Sequence, residues 1–133
     1  MARILVVDDD PLFLAIMSRT LENSRHDVVA VSSGGKAIEL LQKEAFDALV
    51  CDLVLPNPSG LQVIREARHR SAEMPIIAIS GGKAQGKTVH VDVFNMARAV
   101  GATSVVKKPF ELYDFVTTVE AALEAQKASA VGG

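Results

Sequence analysis

The chain has 133 residues, 49% hydrophobic and 5% aromatic, with a formal net charge of −2. That size fits a single domain, which we expect at residues 1–126, followed by a flexible tail at 127–133. The near-neutral charge argues against nucleic acid or an anionic membrane surface as a partner. The single Cys51 excludes an internal disulfide, and no apolar stretch reaches the roughly 18 residues of a membrane span, so we expect a cytoplasmic protein.

Five short runs rich in β-branched residues alternate with amphipathic stretches along the chain. The runs predicted to be strands are 4–7, 28–31, 48–51, 76–79 and 104–106. Nearly continuous apolar runs are typical of parallel strands that helices cover on both faces. The alternation predicts an α/β, doubly wound, flavodoxin-like (βα)5 fold, with a five-stranded parallel sheet in the order 2-1-3-4-5.

Charged and hydroxyl side chains stand at the ends of the predicted strands, where ligands bind in this type of sheet. Asp8, Asp9 and Asp10 follow the first strand, Asp52 the third, Ser80 the fourth, and Lys107 and Lys108 the fifth. Gathered carboxylates repel one another, and Mg²⁺ relieves that repulsion because it favours carboxylates together with water and phosphate oxygens. An aspartate can also become an aspartyl phosphate, with an ammonium and a hydroxyl stabilising the transferred group. The residues alone therefore predict Mg²⁺-assisted phosphoryl transfer to or near an aspartate.

Four short motifs stand in a fixed order along the chain. They are residues 4–11, residues 47–56 with Gly60 four positions further on, residues 75–80, and Gly101-Ala102 followed by Lys108-Pro109-Phe110. In this order they resemble the response-regulator receiver family of two-component signalling, over nearly the whole chain. The resemblance, to single-domain regulators of the chemotaxis type, implies a bacterial signalling phosphoacceptor, with a role in a phosphorelay, rather than an enzyme that turns over a small substrate.

Position by position, the resemblance implies a role for each residue of the expected site. Asp52 would be the phosphoacceptor. The ligands of Mg²⁺ or Mn²⁺ would be Asp9, Asp52 and the backbone carbonyl of Val54, with Asp8 acting largely through a metal-bound water. Ser80 and Lys108 would each bind a phosphoryl oxygen. A cis peptide bond between Lys108 and Pro109 is also implied. The donor would be a histidine kinase or a histidine phosphotransfer protein, and output would pass through a target protein or a self-dimer.

Two features of the chain depart from that family. Val105 stands where the family often has tyrosine or phenylalanine, and the segment before Lys108 is longer than usual because of the glycine-rich stretch 81–90. Both departures leave phosphoryl transfer intact but affect how a signal leaves the site. We hypothesise that the stretch 81–90 rearranges and passes the change to the helix near residues 94–100.

Residues 81–88 also match the P-loop pattern, in which backbone amides cradle nucleotide phosphates. Lys87 would then reach the terminal phosphates and Thr88 would hold Mg²⁺. A P-loop needs a helix directly after its threonine, however, and residues 89–91 are a poor helix start. A nucleotide site also leaves the aspartates after the first strand without roles, so a flexible glycine-rich loop is the favoured interpretation.

A phosphatase with an aspartyl nucleophile is a further alternative. Such phosphatases carry two acids separated by one residue, whereas Val54 stands two positions after Asp52. The chain also leaves no room for a cap that covers a substrate. This alternative is therefore disfavoured.

Several other polar residues are predicted to have structural roles. Asp10 is expected to cap the first helix, Lys107 to be a surface charge and Cys51 to be a small buried hydrophobe. The three histidines lack the spacing of metal ligands and are expected at the surface: His26, His69 and His90.

Overall fold

The computed structural model describes the backbone of residues 1–81, 83–84, 87–88 and 91–132, with side chains at 1–81 and 94–129. Five strands form the main sheet: β1 (Arg3–Val7), β2 (Asp27–Val31), β3 (Ala48–Asp52), β4 (Ile76–Ser80) and β5 (Ser104–Lys107). The helices are α1 (Pro11–Asn23), α2 (Gly34–Lys43), α3 (Gly60–Arg70), α4 (Val91–Val100) and α5 (Leu112–Gly132). All pairings in this sheet are parallel, and the order β2-β1-β3-β4-β5 confirms the predicted doubly wound fold.

Successive side chains of the central strands alternate between two hydrophobic clusters, one on each face of the sheet. On one face, Ile4, Val6, Val50, Ile77 and Ile79 pack with Met17, Leu21, Phe115 and Val119 of α1 and α5. On the other face, Leu5, Val7, Leu49, Ile76 and Ala78 pack with Leu41, Ile64, Ala67 and Ala97 of α2, α3 and α4. Helices thus cover both faces, which explains why β1, β3 and β4 have nearly continuous apolar sequences.

The register of the strands brings their carboxyl ends to one edge of the sheet. Val7 pairs with Cys51 across β1 and β3, and Asp52 pairs with Ile79 across β3 and β4. The residues that follow β1 therefore lie beside the end of β3, at the switch point between strands one and three. We call this side of the sheet the carboxyl edge.

Helix α1 begins at the carboxyl edge, directly after the aspartates that follow β1. Its N-cap is Asp10, whose side chain accepts a hydrogen bond from the backbone N–H of Leu12 at 3.0 Å. Pro11 occupies the first turn, where its missing N–H costs nothing. The capping role predicted for Asp10 is confirmed.

The glycine-rich stretch 81–90 is described only in part. Positions 82, 85, 86 and 89, together with His90, lie outside the described residues, so the hypothesis that this stretch rearranges stays a prediction. Lys83–Ala84 pairs antiparallel with Lys87–Thr88, and α4 begins only at Val91. A P-loop places its threonine at the start of a helix, which is not the position of Thr88 here.

Two further expectations concern the end of the chain and one histidine. Helix α5 continues to Gly132, so the segment 127–133, predicted to be a flexible tail, is helical over most of its length. The domain boundary at residue 126 stays a prediction. The surface position predicted for His26 is wrong, because its side chain is only 6% exposed and lies 2.6 Å from Glu120. Among the described residues, no helix is long and apolar enough to cross a membrane.

Candidate functional site

Three carboxylates gather at the carboxyl edge. One oxygen from each of Asp8, Asp9 and Asp52 lies within 4.8 Å of the others. Asp8 and Asp52 are buried, at 0% and 4% exposure, while Asp9 is exposed. Buried charges of the same sign raise one another's free energy, so this arrangement requires a nearby positive charge.

Among the described side chains, the nearest positive charge is the ammonium of Lys108, the residue that directly follows β5. Its Nζ lies 2.8 Å from Asp8 Oδ2 and 2.9 Å from Asp52 Oδ2. The backbone N–H of Lys108 donates to the carbonyl of Ser80 at 2.8 Å, which extends the β4–β5 pairing to the site. Burial lowers the pKa of Lys108, but the contacts with Asp8 and Asp52 and their charges outweigh it and raise the pKa. The side chain is therefore a cation at neutral pH.

Both carboxylate oxygens of Asp52 accept a hydrogen bond. Oδ1 accepts from the backbone N–H of Val54 at 2.9 Å, and Oδ2 accepts from Lys108 Nζ at 2.9 Å. Burial raises the pKa of Asp52 to about 6; the charge of Asp8 adds to this rise, and the bonds from Val54 and Lys108 oppose it. Asp52 is thus mainly ionised at neutral pH, as a nucleophile must be.

The close approach of α3 to β3 positions the backbone around Asp52. A Cβ placed on Gly60 would lie 2.0 Å from the carbonyl oxygen of Asp52, so only glycine fits there. Ser59, directly before Gly60, forms a capping box with Gln62 that begins α3. The glycine that follows residues 47–56 in the sequence therefore packs the start of α3 against the end of β3.

Ser80 and Val54 complete the set of residues singled out from the sequence. Ser80 is buried at the last position of β4, with its carbonyl bound to the Lys108 amide. Val54 is 41% exposed two residues after Asp52. The cis bond expected between Lys108 and Pro109 is confirmed. The structure brings the aspartates and Lys108 together, whereas the chemical roles of all these residues stay predictions.

The cluster has the chemistry of a metal site. Asp8 Oδ2 is fully buried and receives no aligned hydrogen bond, although the Lys108 ammonium is close to it. A buried acceptor in this condition favours a further positive ligand. The three candidate donors are all carboxylate oxygens, which suit hard cations such as Mg²⁺ or Mn²⁺.

One neighbour of the site was not predicted from the sequence. The ring of Phe13, in the first turn of α1, lies with its centroid 4.2 Å from Lys108 Nζ. In the sequence Phe13 is one of several apolar residues on the inner face of α1. No local pattern distinguishes a residue that contacts the ammonium from one that fills the core.

A doubly wound sheet with buried carboxylates and a lysine at its switch point defines an α/β protein with a charged cluster at the carboxyl edge, the place where ligands bind in sheets of this type. Residues 4–120 match the family described as response regulator receiver domain, and the chain belongs to that family. Receiver domains are the signalling phosphoacceptors of two-component systems, and members of the family interact with histidine kinases and downstream targets.

A curated relative agrees with the family assignment, and solved structures agree with the fold. Response regulator MprA of Mycobacterium leprae (strain TN) is 29% identical over 125 residues, which are 94% of this chain and 52% of MprA. The chain therefore spans about half the length of that curated relative. A CheY-like receiver domain protein from Methanospirillum hungatei JF-1 superposes with a TM-score of 0.87 at 23% identity, over 97% of this chain and 98% of that chain. A putative response regulator from Chloroflexus aurantiacus J-10-fl superposes with a TM-score of 0.82 at 26% identity, over 92% and 98% of the two chains.

Proposed function

We propose that this chain accepts a phosphoryl group on Asp52 from the phosphohistidine of a histidine kinase or a histidine phosphotransfer protein, in a reaction that requires Mg²⁺ or Mn²⁺. The observation that carries the proposal is the position of Asp52. Its carboxylate is buried beside Asp8, and one ammonium, that of Lys108, contacts both acids. The proposed nucleophile, the proposed cation site and a fixed positive charge would then share one small space, which supports the proposal.

In the transfer, an oxygen of Asp52 forms a bond to phosphorus while the phosphorus–nitrogen bond of the phosphohistidine breaks. The electron pair of that bond stays on the imidazole, which leaves as a neutral ring when its other nitrogen carries a proton. Lys108 stabilises the charge on the phosphoryl oxygens, and the hydroxyl of Ser80 donates a hydrogen bond to another of them. Phosphoryl transfer needs little beyond such positioning and charge stabilisation.

The residues that would hold the metal are Asp9, Asp52 and the backbone carbonyl of Val54, with Asp8 acting through a water. When bound, the cation would supply the positive charge that a cluster of three carboxylates lacks. Asp8 Oδ2, which is buried and receives no aligned hydrogen bond, supports this assignment. Removal of the metal should therefore stop the reaction.

We further propose that the signal leaves through protein contacts, made with a downstream target or with a second copy of the chain. Phosphorylation adds about −1.5 to −2 of charge and three acceptor oxygens at Asp52. A charge of that size is enough to rearrange contacts at the neighbouring loops and helix ends.

Intact-mass spectrometry after incubation with acetyl phosphate and Mg²⁺ tests this function. We expect one added phosphoryl group on the wild-type chain and none on Asp52→Asn or in the presence of EDTA. Asp47→Asn is the matched control, because Asp47 is an exposed aspartate just before the same strand, and it should be labelled normally. Labelling of Asp52→Asn, or labelling without a divalent metal, would contradict the proposal.

A further inference from the structure

The ammonium of Lys108 has a third neighbour besides Asp8 and Asp52. Its Nζ lies over the ring of Phe13, 4.2 Å from the ring centroid. The Lys108 side chain is only 11% exposed, so the ring stands where water would otherwise solvate the ammonium. An aromatic face attracts a cation through its quadrupole, and the attraction grows as water is removed.

The ring of Phe13 is held in place by two further aromatic rings. Its centroid lies 5.9 Å from that of Phe110 at an interplanar angle of 58°, and Phe110 stacks on Phe115 at 5.2 Å. Phe115 belongs to the buried core between α5 and the sheet. Phe110 stands two residues after Lys108, so one short segment carries both the ammonium and the ring that supports Phe13.

A neutral aromatic ring suits this position better than another polar group. Among the described residues, the site holds three carboxylates and one ammonium, and a further acid would repel an incoming phosphoryl group. A hydroxyl or amide oxygen would compete for the protons of the ammonium. A ring attracts the positive charge, carries no net charge, and leaves the N–H donors available to carboxylate and phosphoryl oxygens.

We infer that Phe13 is a positioning residue for phosphoryl transfer: its ring holds the Lys108 ammonium over the site while the hydrogen bonds of the ammonium pass from the carboxylates to the phosphoryl group. The inference rests on the proposed role of Asp52. Phe13 does not touch the transferred group and acts through Lys108. It also gives α1 an indirect part in the chemistry through Lys108, besides its packing against the sheet.

The first test compares Phe13→Leu with Phe13→Tyr. Leucine keeps an apolar side chain but removes the ring, and at saturating acetyl phosphate and Mg²⁺ the rate should fall about 3- to 10-fold. Tyrosine keeps the ring and should stay within about 2-fold of the wild type. Phe46→Leu is the matched control, because Phe46 lies 5.4 Å from the Arg3 guanidinium at the opposite edge of the sheet, and its rate should not change.

A second test separates the attraction of the ring from its packing. Phenylalanine analogues with increasing numbers of ring fluorines, incorporated at position 13, weaken the negative face of the ring while nearly keeping its shape. The rate should fall in steps with the number of fluorines. In the metal-free protein, the ring current of Phe13 should also shift the Hε resonances of Lys108 upfield, and Phe13→Leu should abolish that shift.

The outcomes distinguish the inference from the function on which it rests. If the most fluorinated analogue and Phe13→Leu are both phosphorylated at the wild-type rate while Asp52→Asn stays unlabelled, the inference is overturned and the function stands. A slow Phe13→Leu without a graded fluorine effect also overturns it, because packing alone then explains the loss. Labelling of Asp52→Asn would overturn the proposed function whatever the Phe13 variants show.

Discussion

The two edges of the sheet carry similar side chains in opposite surroundings. At the carboxyl edge, Lys108 contacts Asp8 and Asp52, and the three side chains are 11% exposed or less. At the other edge, which we call the amino edge, Arg3 forms ion pairs with Asp27 and Glu44 near the starts of β1 and β2. Arg3 and Glu44 there are 41% and 38% exposed. A cation that contacts two carboxylates is thus buried at one edge and solvated at the other.

The burial of charge at the carboxyl edge costs free energy that an ion pair does not fully return. Counted over the part of the chain whose side chains are described, three carboxylates and one ammonium leave this cluster an excess of negative charge. The exposed pairs of the amino edge carry no such cost and contribute little. The carboxyl edge is therefore best explained by its chemistry, and the amino edge by ordinary surface stabilisation. Changes at the two edges should accordingly differ in kind.

The largest effect is expected from Lys108→Ala. Loss of a positioned donor to the transferred group should slow phosphorylation by acetyl phosphate about 100- to 1000-fold. Lys107→Ala is the matched control, because Lys107 is an exposed neighbour on the same strand end, and its rate should stay near that of the wild type. Mass-spectrometric time courses measure both. Equal slowing of the two variants would show that charge near the site matters and the position of Lys108 does not.

The second prediction concerns stability and pH in the metal-free protein. Burial raises the pKa of Asp52 from 3.8 to about 6, so between these values the folded chain binds a proton more tightly than the unfolded chain. The free energy of unfolding should therefore fall as pH rises through this range, with the full penalty above pH 6 and none below about pH 4. Since asparagine cannot ionise, Asp52→Asn should be more stable than the wild type by about 1–2 kcal/mol at pH 7, allowing for solvent screening.

Urea denaturation at pH 4 and pH 7 measures this difference. Asp27→Asn serves as control, because Asp27 is an exposed aspartate of the amino edge and its substitution should not change the pH dependence in this way. Mg²⁺ should stabilise the wild type more than Asp52→Asn, because a ligand stabilises the state that binds it. If the wild type is more stable than Asp52→Asn at pH 7 without metal, the buried charge of Asp52 does not destabilise the fold, and the contrast between the two edges is wrong.

Several features of the molecule were predictable because they depend on local patterns. Each predicted strand agrees with the structure to within one residue at either end, since β-branched apolar runs bounded by polar residues are a local signal. In a parallel sheet with this strand order, the residues at the carboxyl ends of β1 and β3 lie side by side. The proximity of Asp8 to Asp52 could therefore be predicted from the strand order alone. The helix cap at Asp10 is local in the same sense.

Other features depend on which surfaces meet, and the sequence does not specify this. The contact of Phe13 with Lys108 requires the orientation of α1 against the segment after β5. The burial of His26 requires the position of Glu120, 94 residues further along the chain. The helical segment after residue 126 had a different cause. Its alanines are strong helix formers, and extension of an existing helix needs no nucleation.

The third prediction tests His26, a largely buried polar side chain at the amino edge. His26 Nδ1 accepts from the Ala2 amide at 3.1 Å, so in the neutral ring Nε2 carries the proton and donates to Glu120. His26→Leu loses both bonds and should lower the free energy of unfolding by about 1–2 kcal/mol. The rate of phosphorylation should not change. Glu120→Gln keeps an acceptor oxygen and should cost less; a reduced rate in either variant would connect this edge to the site.

The smallest effect is expected where the comparison began, at the exposed pair of Arg3 and Glu44. Glu44→Gln removes the charge but keeps the shape, and should change the free energy of unfolding by less than about 0.5 kcal/mol, with no effect on phosphorylation. The change should decrease further in high salt, because exposed charges are screened. A double-mutant cycle with Arg3→Met isolates the pair from the contact of Arg3 with Phe46. A coupling energy well above about 1 kcal/mol would mean that exposure does not decide the strength of charge pairs in this protein, and the contrast between the edges would need another cause.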